Sequence, residues 1–234
     1  MNETTREELL EAYKDLRVTD VRDGMDTFLY HPIGSMSPDI RPLYRTRAYG
    51  IARTCRYLPF QGVVPNLKPE EYWTWVKEYY DNINPYPWIL EIKKGDFIVI
   101  DQSGVDVGLM GSESGLWCKV LGVNGFVTNG GVRDIDEIIL QKIPFWSGMI
   151  SQSMVQGRLE FDAMDIPVAV GGVKVCPGDV IVADGDGVIV VPQDIAMDVA
   201  READAEHKRD MKLRRQAYDE MGWKPDNTVS KESE

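Results

Sequence analysis

The stretch Gly125-Phe126-Val127-Thr128-Asn129-Gly130-Gly131-Val132-Arg133-Asp134-Ile135-Asp136-Glu137 decides the reading of this chain. It opens on a short apolar run, passes a pair of glycines and sets an arginine beside an aspartate. It then takes up helical apolar spacing at Ile135, Ile138 and Ile139. That order predicts strand, tight glycine turn and helix. An Arg-Asp pair at a helix start suits two chemistries. The guanidinium can grip a carboxylate in a bidentate fork, and the aspartate can hold a hard divalent cation. A plainer reading stands beside these: Asp134 as the N-terminal carboxylate of its own helix, and Arg133 as a surface ion-pair partner.

Upstream, Gly95-Asp96-Phe97-Ile98-Val99-Ile100-Asp101 predicts a strand over 97–101. Asp106 to Ser114 follows as a glycine loop, then a helix over 112–121 with Leu116, Trp117, Val120 and Leu121. Together with a strand at 125–129 and a helix at 134–141 this is a βαβα run, which implies parallel strands. A helix N-terminus presents unpaired N–H groups and partial positive charge, so the 108–114 loop suits a carboxylate or phosphate, with Gly108 and Gly111 letting the backbone come close. If the two strands are neighbours, both loops leave the same sheet edge. One ligand carboxylate could then lie between the amides of residues 111–114 and Arg133, with Mg²⁺ or Mn²⁺ on Asp134 beside it. Such an ion polarises a 2-oxo oxygen and stabilises an enolate.

The rest of the chain frames this unit. Residues 4–17 read as a helix capped by Thr4 or Thr5, and a short helix runs from Thr19 or Asp20 through Met25. Residues 30–46 read as loop. Tyr49 to Leu58 reads as a strand, exposed on one face because it carries Arg53 and Arg56. Pro69-Glu70-Glu71 opens an aromatic helix with Tyr72, Trp73, Val76 and Tyr80, a spacing assigned to core or subunit interface. Short strands follow at Ile143–Trp146, Ile166–Val170, Val173–Val175, 180–184 and Val188–Pro192, separated by turns at Gly171-Gly172, Pro177-Gly178 and Gly185-Asp186-Gly187. Gly178-Asp179-Val180-Ile181-Val182-Ala183-Asp184 echoes the 95–101 segment, each strand ending in Asp where a loop begins. A long charged helix, Asp194 to Met221, reads as an arm against a neighbouring subunit, and the polar tail from Trp223 as frayed. The expected division is 1–26 helical segment, 27–192 catalytic domain, 193–222 C-terminal helix and 223–234 flexible tail.

A net charge of −12 argues against a nucleic-acid surface and against docking on anionic membranes. Three cysteines, Cys55, Cys118 and Cys176, form no CxxC pair and fit free thiols in a reducing compartment. His31 and His207 lack metal-ligand spacing, which leaves zinc or a histidine triad unsupported. The N-terminus is polar and acidic rather than a signal or transit peptide, and no apolar run reaches the roughly 20 residues of a membrane span. The expectation is a cytoplasmic protein.

Three motifs together carry a family resemblance: the Gly-x-x-Gly loop before a helix, Asn-Gly-Gly-Val-Arg-Asp-Ile-Asp, and the run from Pro167 to Pro192 with its Val-Ala-Val-Gly-Gly-Val-Lys-Val-Cys-Pro-Gly-Asp core. The chain resembles the RraA-like family over roughly residues 15–200, most specifically over 108–137 and 166–192. That family includes the class II 4-hydroxy-4-methyl-2-oxoglutarate aldolases, which also decarboxylate oxaloacetate. The resemblance implies an α/β fold, the family's layered β/β/α domain with N- and C-terminal helices, assembled as a homotrimer or homohexamer with sites at subunit interfaces. It implies that Gly111, Ser112, Glu113 and Ser114 bind the pyruvyl carboxylate of a 2-oxo acid. Arg133 would grip the same substrate, and Asp134 would hold Mg²⁺ or Mn²⁺, partly through water.

One position departs from the family pattern. The aldolases place an acidic residue directly after the loop glycine, where this chain has Ser112, with the carboxylate one residue later at Glu113. Acid/base work then falls to Glu113 through a shifted backbone, or to a metal-bound water oriented by Asp134. Two alternatives belong to the same family: a surface-acting ribonuclease regulator, and a metal lyase for a sugar acid. The extra segment at 59–90, with Tyr57, Trp73, Trp75 and Trp88, would shape the pocket in the latter. No nucleotide-binding glycine fingerprint supports a methyltransferase.

Overall fold

The computed structural model describes residues 5–230. Two helices open the chain, α1 (Arg6–Tyr13) and α2 (Val18–Thr27). Thr5 caps α1 through a reciprocal box: its hydroxyl accepts from Glu8 N at 3.3 Å and its N–H donates to the Glu8 carboxylate at 2.8 Å. A short β1 (Arg41–Pro42) leads into β2 (Ala48–Pro59). Next comes α3 (Pro69–Asn82), then a 3₁₀ turn at Pro87–Glu91. The βαβα unit is β3 (Asp96–Asp101), β4 (Gly108–Met110), α4 (Ser112–Val120), β5 (Gly125–Val132) and α5 (Ile135–Leu140). Strands β6 (Phe145–Ile150), β7 (Leu159–Met164), β8 (Val168–Val170), β9 (Val173–Val175), β10 (Val180–Ala183) and β11 (Val188–Val191) follow, and α6 (Ala196–Glu220) comes last.

The main sheet runs β1-β6-β5-β3-β2-β10-β11, with β4 added to β5 and β7 to β2. β2, β3, β5 and β6 pair in parallel, as the βαβα order requires. Alternate residues of β3 face opposite layers: Ile98 and Ile100 pack with Cys118, Ile138 and Ile143 beneath α4 and α5, while Phe97 and Val99 pack with Val168, Val170 and Val175 of the β8–β9 hairpin. Both faces are covered, so the strand is apolar without alternation. The third layer lies at the other end of the sheet. There Val180, Val182, Ile189 and Val191 pack against Tyr13, Val21, Val199 and Ala203 of α1, α2 and α6.

Four sequence expectations change. First, β2 is no half-exposed strand. It lies between β3 and β10, and Arg53 is 11% exposed because its guanidinium bonds Asp96 and Asp165. Second, Asn129-Gly130-Gly131 is not a turn. β5 continues through Val132, and the glycines leave room for neighbours: a Cβ on Gly130 would meet Gln102 Cβ at 2.5 Å, and one on Gly131 would meet Ser151 Cβ at 2.6 Å. Third, the echoed aspartates hold structure: Asp101 accepts from Ser103 N and Asn129 Nδ2, and Asp184 from Val18 N and Asp186 N. The two echoed strands flank β2, one parallel and one antiparallel, in keeping with an echo too short to be a true repeat. Fourth, residues 223–230 turn back along α6, with Arg214 Nε donating to Thr228 O at 2.9 Å and Val229 2% exposed. Strand β7, which bears no clear alternation, was not expected at all. No helix among the described residues is long and apolar enough to cross a membrane.

Candidate active site

The site forms where two βα connections leave the sheet side by side. β4 is only three residues long, yet it pairs in parallel with β5 through Gly108↔Gly131 and Met110↔Val132. Arg133 N then donates to Met110 O at 3.0 Å. This ladder brings the N-terminus of α4 against the Arg133-Asp134 pair. Asp134 adopts a left-handed backbone, φ 59° and ψ 45°, a conformation uncommon outside glycine but tolerated by aspartate. It therefore turns its carboxylate away from its own helix. Oδ2 accepts from Ser112 N at 3.2 Å, and Oδ1 accepts from Arg133 Nε at 3.1 Å. Asp134 makes no capping bond to α5. The carboxylate at the start of one helix caps the helix before it.

The glycines of the upstream loop serve this pair. A Cβ on Gly111 would sit 2.3 Å from Asp134 Oδ2, and one on Gly108 would sit 2.8 Å from Arg133 Cγ. The sequence suggests that these glycines admit a ligand to the backbone. In the structure they admit the Asp134 carboxylate and the Arg133 stem.

An open pocket of about 320 Å³ lies over the pair, lined by Gly108, Leu109, Gly111, Glu113, Ser114, Arg133 and Asp134 and by Trp73, Val76, Tyr80, Tyr86 and Met154. That volume is at the lower end of ligand pockets, roughly 300–1,000 Å³. Arg133 and Asp134 are 33% and 34% exposed, so each is held by protein yet open to a ligand. One of the five guanidinium N–H groups goes to Asp134, and the others can meet a carboxylate. Helix geometry leaves the N–H groups of Glu113 and Ser114 without intrahelical partners, at the positive end of the α4 dipole.

Of the residues the sequence singles out, Gly111, Glu113, Ser114, Arg133 and Asp134 meet in this pocket. Ser112 differs: its N–H is engaged by Asp134 and is not open for substrate. Glu113, one residue on, lies exposed on the pocket wall. Of Tyr57, Trp73, Trp75 and Trp88, only Trp73 lines the pocket. Tyr57 and Trp88 are buried and bonded to each other, Trp88 Nε1 donating to Tyr57 Oη at 2.9 Å, and Trp75 packs on Tyr79. Tyr80, Tyr86 and Met154 were missed as pocket residues. The signal for Tyr80 was present, because Trp73, Val76 and Tyr80 stand at i, i+3 and i+7 on α3 and share a face.

Among the described residues no cluster of three or more His, Cys, Asp or Glu side chains is placed to hold a metal ion. The chain offers one partly exposed carboxylate, Asp134, with Glu113 on the same pocket. That donor set fits Mg²⁺, which keeps several waters and takes one or two carboxylates plus substrate oxygens. It does not fit zinc, which takes three or four N/S-rich protein ligands.

Known proteins resemble the chain in sequence and in fold. A curated protein of Halalkalibacterium halodurans named "Putative 4-hydroxy-4-methyl-2-oxoglutarate aldolase" is 34% identical over 116 residues, 48% of this chain and 54% of that protein. The chain thus spans about half the length of that relative. Among solved structures, an uncharacterized protein from Pseudomonas syringae pv. tomato str. DC3000 superposes with a TM-score of 0.74 at 25% identity, covering 92% of this chain and 94% of the other. Streptomyces coelicolor RraAS2, described as an unusual member of the RNase ES inhibitor RraA protein family, superposes with a TM-score of 0.69 at 23% identity over 94% and 98% of the two chains. That likeness speaks for the fold alone. The model of the RraA-like family, Aldolase/RraA, matches residues 18–190, well over half of the sequence, and the chain belongs to that family.

Proposed function

We propose that this protein is a carbon–carbon lyase that acts on a 2-oxo acid through a pyruvate enolate. The observation that carries the reading is the convergence of Arg133, Asp134 and the α4 N-terminus on one pocket. The aldolase name carried by relatives at about 30–34% identity supports it. In this reading the Arg133 guanidinium and the N–H groups of Glu113 and Ser114 hold the carboxylate of the pyruvyl unit. Mg²⁺ or Mn²⁺ held by Asp134 would supply positive charge beside the oxo oxygen, where the enolate charge develops.

For an aldol substrate, the Glu113 carboxylate takes the proton of the C4 hydroxyl. The C3–C4 bond breaks, C4 leaves as a carbonyl, and the bond's electron pair passes into the enolate, which regains a proton at C3. A 3-carboxylated 2-oxo acid such as oxaloacetate needs less machinery: the C3 carboxylate leaves as carbon dioxide and the same enolate is protonated. Decarboxylation therefore tests the Arg133-Asp134 half of the site separately from Glu113.

The direct experiment is pyruvate release from oxaloacetate with Mg²⁺, with and without chelator, for the wild type and Asp134→Ala. The expected result is turnover that needs both the ion and Asp134. Equal, metal-independent turnover in both proteins sinks the proposal. We also propose that copies of the chain associate, as the homotrimer or homohexamer the family resemblance implies; an exposed apolar face on α4 and α5 at Leu116, Trp117, Val120, Leu121, Ile139 and Leu140 supports association.

A further inference from the structure

The pocket has two unlike halves. Its floor is charged and polar, with Arg133, Asp134, Glu113 and the α4 N-terminus. The rest of the lining, its wall, is aromatic and apolar: Trp73, Val76 and Tyr80 come from one face of α3, Tyr86 from the segment after it, and Met154 from the loop after β6. This wall is fixed to the floor. Tyr86 Oη donates to Leu109 O at 2.9 Å, on the strand that carries the loop, and the Tyr80 and Tyr86 rings lie 6.0 Å apart at 36°. Burial holds the Tyr86 phenol well above the usual tyrosine range, so it stays a neutral donor and the wall carries no charge. Among the described lining residues Arg133 is the only cation, and it shares the pocket with two carboxylates, Asp134 and Glu113.

From this division we infer that the substrate is a 2-oxo acid whose distal end, beyond the pyruvyl unit, is a flat apolar or aromatic group. The inference rests on the proposed orientation, with the pyruvyl carboxylate on Arg133. A distal ring meets Tyr80, Tyr86 and Trp73, where offset or edge-on contacts are favourable, and Val76 and Met154 fill the space around it. A distal carboxylate has no cation to meet on this wall. The lining therefore favours an apolar tail over a second, distal carboxylate. Trp73 is the mouth residue, 68% exposed before a ligand arrives.

The test is equilibrium binding by calorimetry, with Mg²⁺ present, of phenylpyruvate, pyruvate and 2-oxoglutarate to the whole protein. Phenylpyruvate is expected to bind at least tenfold more tightly than either of the others. Trp73→Ala should cut its advantage over pyruvate severalfold. Because Trp73 is exposed, that variant keeps the fold, and Tyr80→Leu tests the inner wall. Tighter binding of 2-oxoglutarate, or an unchanged phenylpyruvate advantage in both variants, overturns the inference. The lyase proposal fails separately. Preferential phenylpyruvate binding without oxaloacetate turnover leaves the aromatic wall and removes the reaction. Metal-dependent turnover with a dicarboxylate preference does the reverse. Binding of none of the three acids removes both.

Discussion

The Asp134 carboxylate accepts a hydrogen bond from the backbone N–H of Ser112 at 3.2 Å, so a residue at the start of α5 caps α4. One side chain thereby serves structure and proposed chemistry, and substitution can separate them. Asp134→Asn keeps an acceptor for Ser112 N and tolerates the left-handed backbone, so its stability is expected within about 0.5 kcal/mol of wild type. Asp134→Ala loses the cap, about 1 kcal/mol, and adds about 1 kcal/mol of left-handed strain. Both are expected to lower metal-dependent pyruvate release by about 100-fold or more, the scale of lost charge stabilisation at a reacting oxygen. Urea denaturation beside an oxaloacetate assay reads both. An Asn variant with full turnover would reduce Asp134 to a helix cap.

Gly111 sets where that carboxylate can sit. Its backbone is extended, φ −135° and ψ −171°, so alanine strains no dihedral angle there. The added Cβ meets Asp134 Oδ2 at 2.3 Å, then Asp134 Cγ at 3.2 Å and Arg133 Cγ at 3.3 Å, all atoms of side chains that can give way. Gly111→Ala should therefore leave the melting temperature within about 4 °C, since ~1 kcal/mol moves it by that order, while turnover falls as far as in Asp134→Asn. Retained activity would show that the position of Asp134 on Ser112 is not required.

How much of this was legible beforehand follows from the range of the signals. The βαβα order and its parallel pairing come from local apolar runs, and the structure keeps them. The meeting of Gly111 with Asp134 depends on β4, three residues hidden in what reads as a glycine loop, whose pairing with β5 no local pattern announces. The Gly130-Gly131 pair carries a turn signal, but its cause is the approach of Gln102 and Ser151 from neighbouring elements. Arg53 reads as a surface residue because its partners, Asp96 and Asp165, lie 43 and 112 residues away. The aromatic wall was half legible. The helical stripe of α3 was clear in the sequence, but whether it faced core, partner or ligand depended on where the chain after residue 82 returned to the sheet.

Asp96 illustrates what long-range pairing does for stability. It is 2% exposed and accepts from Arg53 Nε at 2.9 Å, Arg6 Nη2 at 2.5 Å and Lys93 N at 2.8 Å. The pair of guanidinium groups ties α1, β2 and β3 together. Removing the charge leaves the nearly buried Arg53 with Asp165 as its remaining carboxylate, and losing one partner of a buried pair costs about 3–5 kcal/mol. Asp96→Asn should destabilise by the lower end of that range, about 3 kcal/mol, because Arg6 is still partly in water. A loss below about 1 kcal/mol in urea denaturation would show that the cluster is screened like a surface pair.

The cysteines give a pH dependence with a definite sign. Burial pushes the Cys118 thiol up to about 12 and holds Cys55 well above its ordinary value near 9. In the folded protein both stay protonated where the unfolded chain already ionises. The stability they contribute is full below about pH 9 and is lost as pH rises from there toward 12. Denaturation midpoints should accordingly fall between pH 9 and 11. Thiol labelling at pH 8 should modify one cysteine per native chain, the half-buried Cys176, and all three in guanidinium. Rapid native labelling of Cys118 would contradict this.

The proposed assembly can be tested on the apolar face of α4 and α5. Trp117, Val120 and Leu140 are 62%, 69% and 82% exposed, forming with Leu116 and Leu121 an apolar face on α4 and α5. Exposed patches of this kind mark association surfaces. Wild type is expected to sediment at three or six times the 26.5 kDa chain mass. Trp117→Glu combined with Leu140→Glu places charge on both helices of that face without touching a buried contact, and should yield a folded monomer by sedimentation and circular dichroism. If the site is completed by a second copy, that monomer should also release pyruvate from oxaloacetate at least tenfold more slowly. A wild-type monomer removes the assembly, and a monomeric variant with full turnover shows that one chain carries the whole site.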